Sequence, residues 1–120
     1  MFSKVLFFFW LSAITFISLV DYSSISGLNL SKGFGAGFWL HAVGYFMAGL
    51  LFVLAFGKKG QSYLLIALAG LFLLGVLFEI LQLRIPKRTF NPVDITANGL
   101  GLFFFYVCFN LKRYFQTNLK

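Results

Sequence analysis

The sequence predicts an all-α membrane protein: four transmembrane helices in an antiparallel bundle, with the N- and C-termini both in the cytoplasm. Three observations predict it. The chain of 120 residues is 60% hydrophobic and only 11% charged, which leaves too little polar surface to cover a soluble core. Its apolar residues fall into four runs, each of a length that crosses a hydrocarbon layer about 30 Å thick. Its Lys and Arg residues gather at the ends of those runs, as they do beside membrane spans.

The first span covers about residues 5–20 and is interrupted only by Ser12, Thr15 and Ser18. Lys4 ahead of an apolar run resembles a signal peptide. The run is longer than a signal core, however, and the small-x-small stretch Ser24-Ile25-Ser26 lies well beyond its end, so it reads as an uncleaved span. The second span, about 38–56, holds His41 as its only ionisable group besides Tyr45. The third, about 63–83, holds Glu79 and Gln82, and the fourth, about 92–111, holds Asp94 and Asn98. Lipid offers the backbone no hydrogen-bond partner, so each span must be a helix. The short connections at 57–62 and 84–91 turn the chain straight back on itself. Pro86 stops the third helix inside its connection. Asn91-Pro92-Val93-Asp94 has the order of a helix start, with Asn91 as N-cap, Pro92 first in the helix and Asp94 beside the free amides. The whole chain, 1–120, reads as a single membrane domain.

Charge sets the direction. Lys4, Lys58, Lys59, Lys112, Arg113 and Lys120 fall on one side, and Lys32, Arg84, Lys87 and Arg88 on the other. Six against four places both termini in the cytoplasm of a multi-pass protein of the inner (plasma) membrane. All three acids, Asp21, Glu79 and Asp94, lie on the opposite side. The net charge of +7 does not read as a nucleic-acid interface, because the basic residues flank spans and form no patch on an aqueous fold. Cys108 is the only cysteine and reads as a small hydrophobe. Trp10 and Trp39 lie near opposite ends of their spans and read as lipid-facing interface anchors.

Helix rise converts position into depth. Glu79 lies roughly 7 Å inside the membrane, Asn98 roughly 9 Å and His41 roughly 5–6 Å, counted from the same face because the helices alternate. The polar groups therefore converge at one end of the bundle. His41 and Tyr45 are one turn apart, beside Gly44 and Ala48. Ala67, Leu71, Gly75 and Glu79 repeat every fourth residue, with Gln82 one turn beyond. Asp94, Asn98, Gly101 and Phe105 form the stripe of the fourth helix. Small residues on each polar stripe let helix backbones approach. A charge at such depth costs a few kcal/mol unless paired. The expected partners are Arg84 or Arg88 for Glu79 or Asp94, and His41 for either acid. Arg88 at the rim, near the positive start of the fourth helix, reads as a clamp for a phosphate or carboxylate. Arg84, Lys87 and Lys32 read as solvated or lipid-phosphate contacts.

The segments HAVGYF (41–46) and EILQLRIPKRTFNPVDITANGLG (79–101) resemble the VanZ-like integral membrane proteins. The pattern of that family is an early His, then Glu-x-x-Gln, a loop Arg, and Asp-x-x-x-Asn-x-x-Gly. It maps here to His41, Glu79, Gln82, Arg88, Asp94, Asn98 and Gly101, over roughly the last two thirds of the chain. Many members carry an Asp-Lys pair four and three residues before the His. Gly37 and Phe38 stand there in this chain, so the role of that pair would pass to Asp21 and Lys32. The family is named for a protein linked to resistance to the glycopeptide teicoplanin. The resemblance implies a role in the cell envelope and supplies no reaction.

The expected site is thus a polar pocket of His41, Tyr45, Glu79, Gln82, Arg88, Asp94 and Asn98. Its expected partners are membrane lipids, a cell-wall precursor lipid or a glycopeptide. A second reading makes His41 and Glu79 proton carriers in acid–base or metal-assisted cleavage of a phosphorylated lipid. A third makes the cluster the glue of a structural or assembly subunit, with Asn98 bonding across helices and Asp94 stabilising a helix start. No cofactor is read. His41, Glu79 and Asp94 could offer an imidazole and two carboxylates to a divalent ion, but they come from three helices with no Glu-x-x-His or His-Glu-x-x-His spacing, so no metal is read. Cys108 lies a membrane away from His41, and without strands there is no nucleophile elbow.

Overall fold

The computed structural model describes residues 1–19, 35–57, 60–85 and 90–118. Among these the chain is all helical, with no strand: α1 (Phe2–Leu19), α2 (Ala36–Phe56), α3 (Gln61–Gln82) and α4 (Pro92–Asn118). Each is long and apolar enough to cross a membrane. Phe9, Phe16, Trp39, Ile66, Phe103 and Phe104 are exposed on the outer surface, an arrangement suited to lipid and not to water.

Helix ends differ from the expected ones for local reasons. α1, α2 and α3 each start two or three residues earlier than their apolar runs; Lys4, Ala36 and Gln61 at these starts are good helix formers. α4 runs seven residues past Leu111, to Asn118. Lys112, Arg113 and Gln116 are good helix formers, and no Gly or Pro interrupts them. The Thr117 hydroxyl and the Asn118 amide also donate to the carbonyls of Arg113 and Tyr114, at 3.0 and 2.9 Å. Hydropathy marks where the apolar span ends, not where the helix does. Between α2 and α3, Gly57 and Gly60 have φ of 77° and 112°, a region that side-chain-bearing residues rarely adopt.

α2 and α4 are the most intimate pair. A Cβ built on Gly101 would strike the Ala42 carbonyl oxygen and lie 2.9 Å from the Ala42 carbonyl carbon. Glycine is what lets the two backbones touch. One turn further along α4, the Phe105 ring lies against Gly49. Tyr45, Ala48, Leu51, Leu102 and Phe105 pack with Leu64, Leu68 and Leu71 of α3 in one core. α1 joins that core through Phe7, whose ring meets Phe52 and Phe56 edge to face at 5.7 and 5.5 Å.

Trp10 corrects an expectation. Its indole N–H donates to the Gly44 carbonyl at 3.0 Å, partly buried between α1 and α2, so it is not simply lipid-facing. Lipid provides no acceptor for an indole N–H, and the missing side chain of Gly44 leaves a carbonyl in reach. Trp39 is exposed.

Candidate functional site

Near the start of α2, the end of α3 and the start of α4, polar side chains meet. Asn98 (1% exposed) sits one turn before Gly101, the point where α4 touches α2. That closeness places its Oδ1 2.9 Å from His41 Nδ1. A carbonyl oxygen only accepts, so Nδ1 carries a proton in this pairing. The other ring nitrogen, Nε2, faces Asp94 Oδ2 at 3.8 Å. Asp94 lies one turn before Asn98 on the same face of α4, so the two embrace opposite edges of the ring.

Glu79 (1% exposed) and Gln82 (2% exposed) come from the last turn of α3. Gln82 Nε2 donates to Glu79 Oε1 at 3.2 Å. The backbone N–H of Asn91 donates to Glu79 Oε2 at 3.3 Å. Asn91 Oδ1 in turn accepts from the Val93 N–H at 3.2 Å, the geometry of a side-chain cap on α4. Glu79 is therefore tied to the chain segment that positions Asp94. Tyr45 is buried, and its hydroxyl and Asn98 Nδ2 both border Gly75: a Cβ there would lie 2.7 Å from each. Glycine at 75 is needed for this convergence of α2, α3 and α4. Every buried side-chain nitrogen and oxygen among the described residues has a partner.

The outcome is a compact set. One donor atom each from His41, Glu79 and Asp94 lies within 4.8 Å of the other two, with the side chains of His41 and Asp94 19% and 16% exposed and Glu79 beneath them. Of the expected site residues, His41, Tyr45, Glu79, Gln82, Asp94 and Asn98 are brought together. Arg84 is exposed at the end of α3. Arg88 lies outside the described residues, as do Asp21, Lys32, Pro86, Lys87 and the Ser24-Ile25-Ser26 stretch.

The other end of the molecule holds groups that the sequence reading passed over. Gln61 at the start of α3 donates to the Tyr106 hydroxyl and, at 3.2 Å, to Asn110 Oδ1, and its own Oε1 accepts from Arg113 at 3.1 Å. Tyr106, Asn110 and Arg113 are spaced by four and three residues, so they share one face of α4; that spacing was the available signal. Beside them is a cavity of about 320 Å³ lined by Phe52, Gly57, Tyr63, Phe109 and Arg113, among others. No family model, no curated protein and no solved structure matches this chain.

Proposed function

We propose that the chain is a VanZ-like inner-membrane protein whose polar pocket binds the head group of an envelope lipid or cell-wall precursor. In this reading the four helices form an antiparallel bundle with cytoplasmic termini, and the pocket opens outward. The observation that carries it is the meeting of His41, Glu79 and Asp94 from three helices within 4.8 Å, at one end of a largely apolar body. Polar groups so placed are costly in lipid and mark ligand or ion sites more often than stray positions do. Contacts at both ends of α3, from Gln61 to Arg113 and from Glu79 to Asn91, support a course of α3 opposite to that of α4. Arg88 supplies the anion clamp, and Gln82, Asn98 and Tyr45 hold the floor.

Purified protein in nanodiscs, titrated with polyprenyl phosphate, tests this reading. Arg88→Ala and Glu79→Gln should each weaken binding. Unchanged affinity in both variants rejects the pocket. The closeness of the same three side chains also favours a second reading, hydrolysis of a phosphorylated lipid with His41 and Glu79 as proton carriers. Absence of any product from a panel of polyprenyl phosphates, with and without divalent ions, would sink that second reading alone.

A further inference from the structure

We infer that His41 Nε2 and the carboxylates of Glu79 and Asp94 form a binding site for one divalent cation of the manganese or zinc class. The inference extends the head-group reading without depending on it, since it concerns the metal alone. Two distances frame the argument. One ligand atom from each of the three residues lies within 4.8 Å of the other two, and His41 Nε2 is 3.8 Å from Asp94 Oδ2. Ligands held about 2.0–2.2 Å from a common ion stand roughly 3–4.4 Å apart, so a pair 4.8 Å apart would have to close by roughly 0.4 Å or more on binding. At 3.8 Å the His41–Asp94 pair is too far apart for a direct hydrogen bond and suitably spaced for two ligands of one ion.

The imidazole is arranged as a ligand must be. Asn98 Oδ1 accepts from Nδ1 at 2.9 Å, so in the neutral ring the lone pair is on Nε2, the atom that faces Asp94. Metal-binding histidines are oriented in this way, through a hydrogen bond at the second nitrogen. Glu79 is held similarly. Gln82 Nε2 donates to one of its oxygens and the Asn91 N–H to the other, which fixes the orientation of the carboxylate. Glu79 is buried while His41 and Asp94 are partly exposed. The three thus form a buried floor and two partly exposed walls.

One nitrogen and two carboxylate oxygens suit manganese or zinc better than a soft ion. Three protein ligands leave coordination positions open, as in sites where a metal takes an exogenous oxygen ligand. A phosphate oxygen is one such ligand. The cation would then reconcile an anionic head group with a pocket that contains two acids. The sequence reading discounted metal because no two ligands share a short motif. Here each ligand comes from a different helix, and the site exists only through the contacts made at Gly75 and Gly101.

The test uses the full chain, purified in detergent, stripped with a chelator and titrated with Mn²⁺ in the absence of lipid phosphate. Electron paramagnetic resonance should report one bound Mn²⁺ per chain, displaced by Zn²⁺, with pulsed spectra showing coupling to an imidazole nitrogen. His41→Ala should abolish that coupling. Asp94→Asn, a partly exposed and isosteric change, should weaken binding at least about tenfold; Asn98→Ala should weaken it about 10–100-fold by releasing the ring. Helical circular dichroism identifies any variant that does not fold, and the nitrogen coupling of the unaltered protein needs no variant. No stoichiometric Mn²⁺ or Zn²⁺ at millimolar concentration would overturn the inference, as would bound Mn²⁺ without nitrogen coupling. Metal binding without lipid binding would retain this site and reject the head-group reading; lipid binding without metal would do the reverse.

Discussion

Replacing Gly101 by alanine puts a methyl group where no side chain fits. Its Cβ would run into the Ala42 carbonyl oxygen, 2.9 Å from the Ala42 carbonyl carbon and 3.1 Å from the Phe46 amide nitrogen. All three atoms are backbone, so no rotamer change relieves the clash. The two helices must part by something on the order of 1 Å to restore ordinary carbon contacts. Overpacking of this kind costs about 1–3 kcal/mol. The gain from replacing a helical glycine is about 1 kcal/mol. The upper part of the first range applies, because backbone yields less than side chain, so a net loss of about 1–2 kcal/mol is expected. The same parting would stretch the His41–Asn98 contact from 2.9 Å to about 3.9 Å, beyond hydrogen-bond length. The assay is reversible unfolding in mixed micelles followed by circular dichroism. Gly70→Ala serves as the control: nothing lies within 4 Å of its Cβ position, and it should be neutral or stabilising by up to about 1 kcal/mol. Gly101→Ala matching Gly70→Ala in stability would refute the close approach of α2 and α4.

Three further outcomes are expected. Glu79→Gln keeps the shape of the side chain but leaves one accepting oxygen where two N–H donors converge, so stability should fall by about 1–3 kcal/mol with the fold retained while binding in the pocket falls; an unfolded variant would instead assign Glu79 a structural role. Trp10→Phe removes the bond to the Gly44 carbonyl and should cost about 0.6–1.7 kcal/mol, the range for polar contacts between membrane helices; no loss in the same unfolding assay would contradict the pairing. Cysteines placed singly at 41 and 113, in a Cys108→Ala background, should react with impermeant thiol reagents from opposite sides of a sealed vesicle; labelling from one side would disprove the four-span arrangement.

The spans were legible because the requirement is one-dimensional. An apolar run of given length either crosses the hydrocarbon layer or does not, and Lys and Arg punctuate the runs. The shared end was legible for the same reason: counting residues from the ends of the spans put His41, Glu79 and Asn98 at the same end of their helices. Rotation was not legible. Spacing puts Asp94 and Asn98 on one face of α4 but cannot say which residue of α2 or α3 that face meets. The division of the His41 ring between Asn98 and Asp94 therefore needed three dimensions. So did the triad, whose members are separated by 38 and 15 residues in sequence. Trp10 was misread because indoles at span ends commonly anchor, and the carbonyl it uses belongs to another helix. Gln61, Tyr106, Asn110 and Arg113 were overlooked because each alone is ordinary at a membrane surface.

The crossing at Gly101 also makes the bundle an unequal lever. Along α4, Asn98 is three residues from that point and Arg113 is twelve, about 4.5 and 18 Å of rise. If the two helices scissor about this contact, Arg113 sweeps about four times the distance travelled by Asn98, while Asp94, seven residues from the crossing, travels a little over half as far as Arg113. The part that moves most lies beside the cavity at Arg113; the part that moves least is Asn98, which holds the His41 ring. A hinge set this close to Asn98 keeps its pairing with His41 in register while the opposite end breathes with the surrounding lipid.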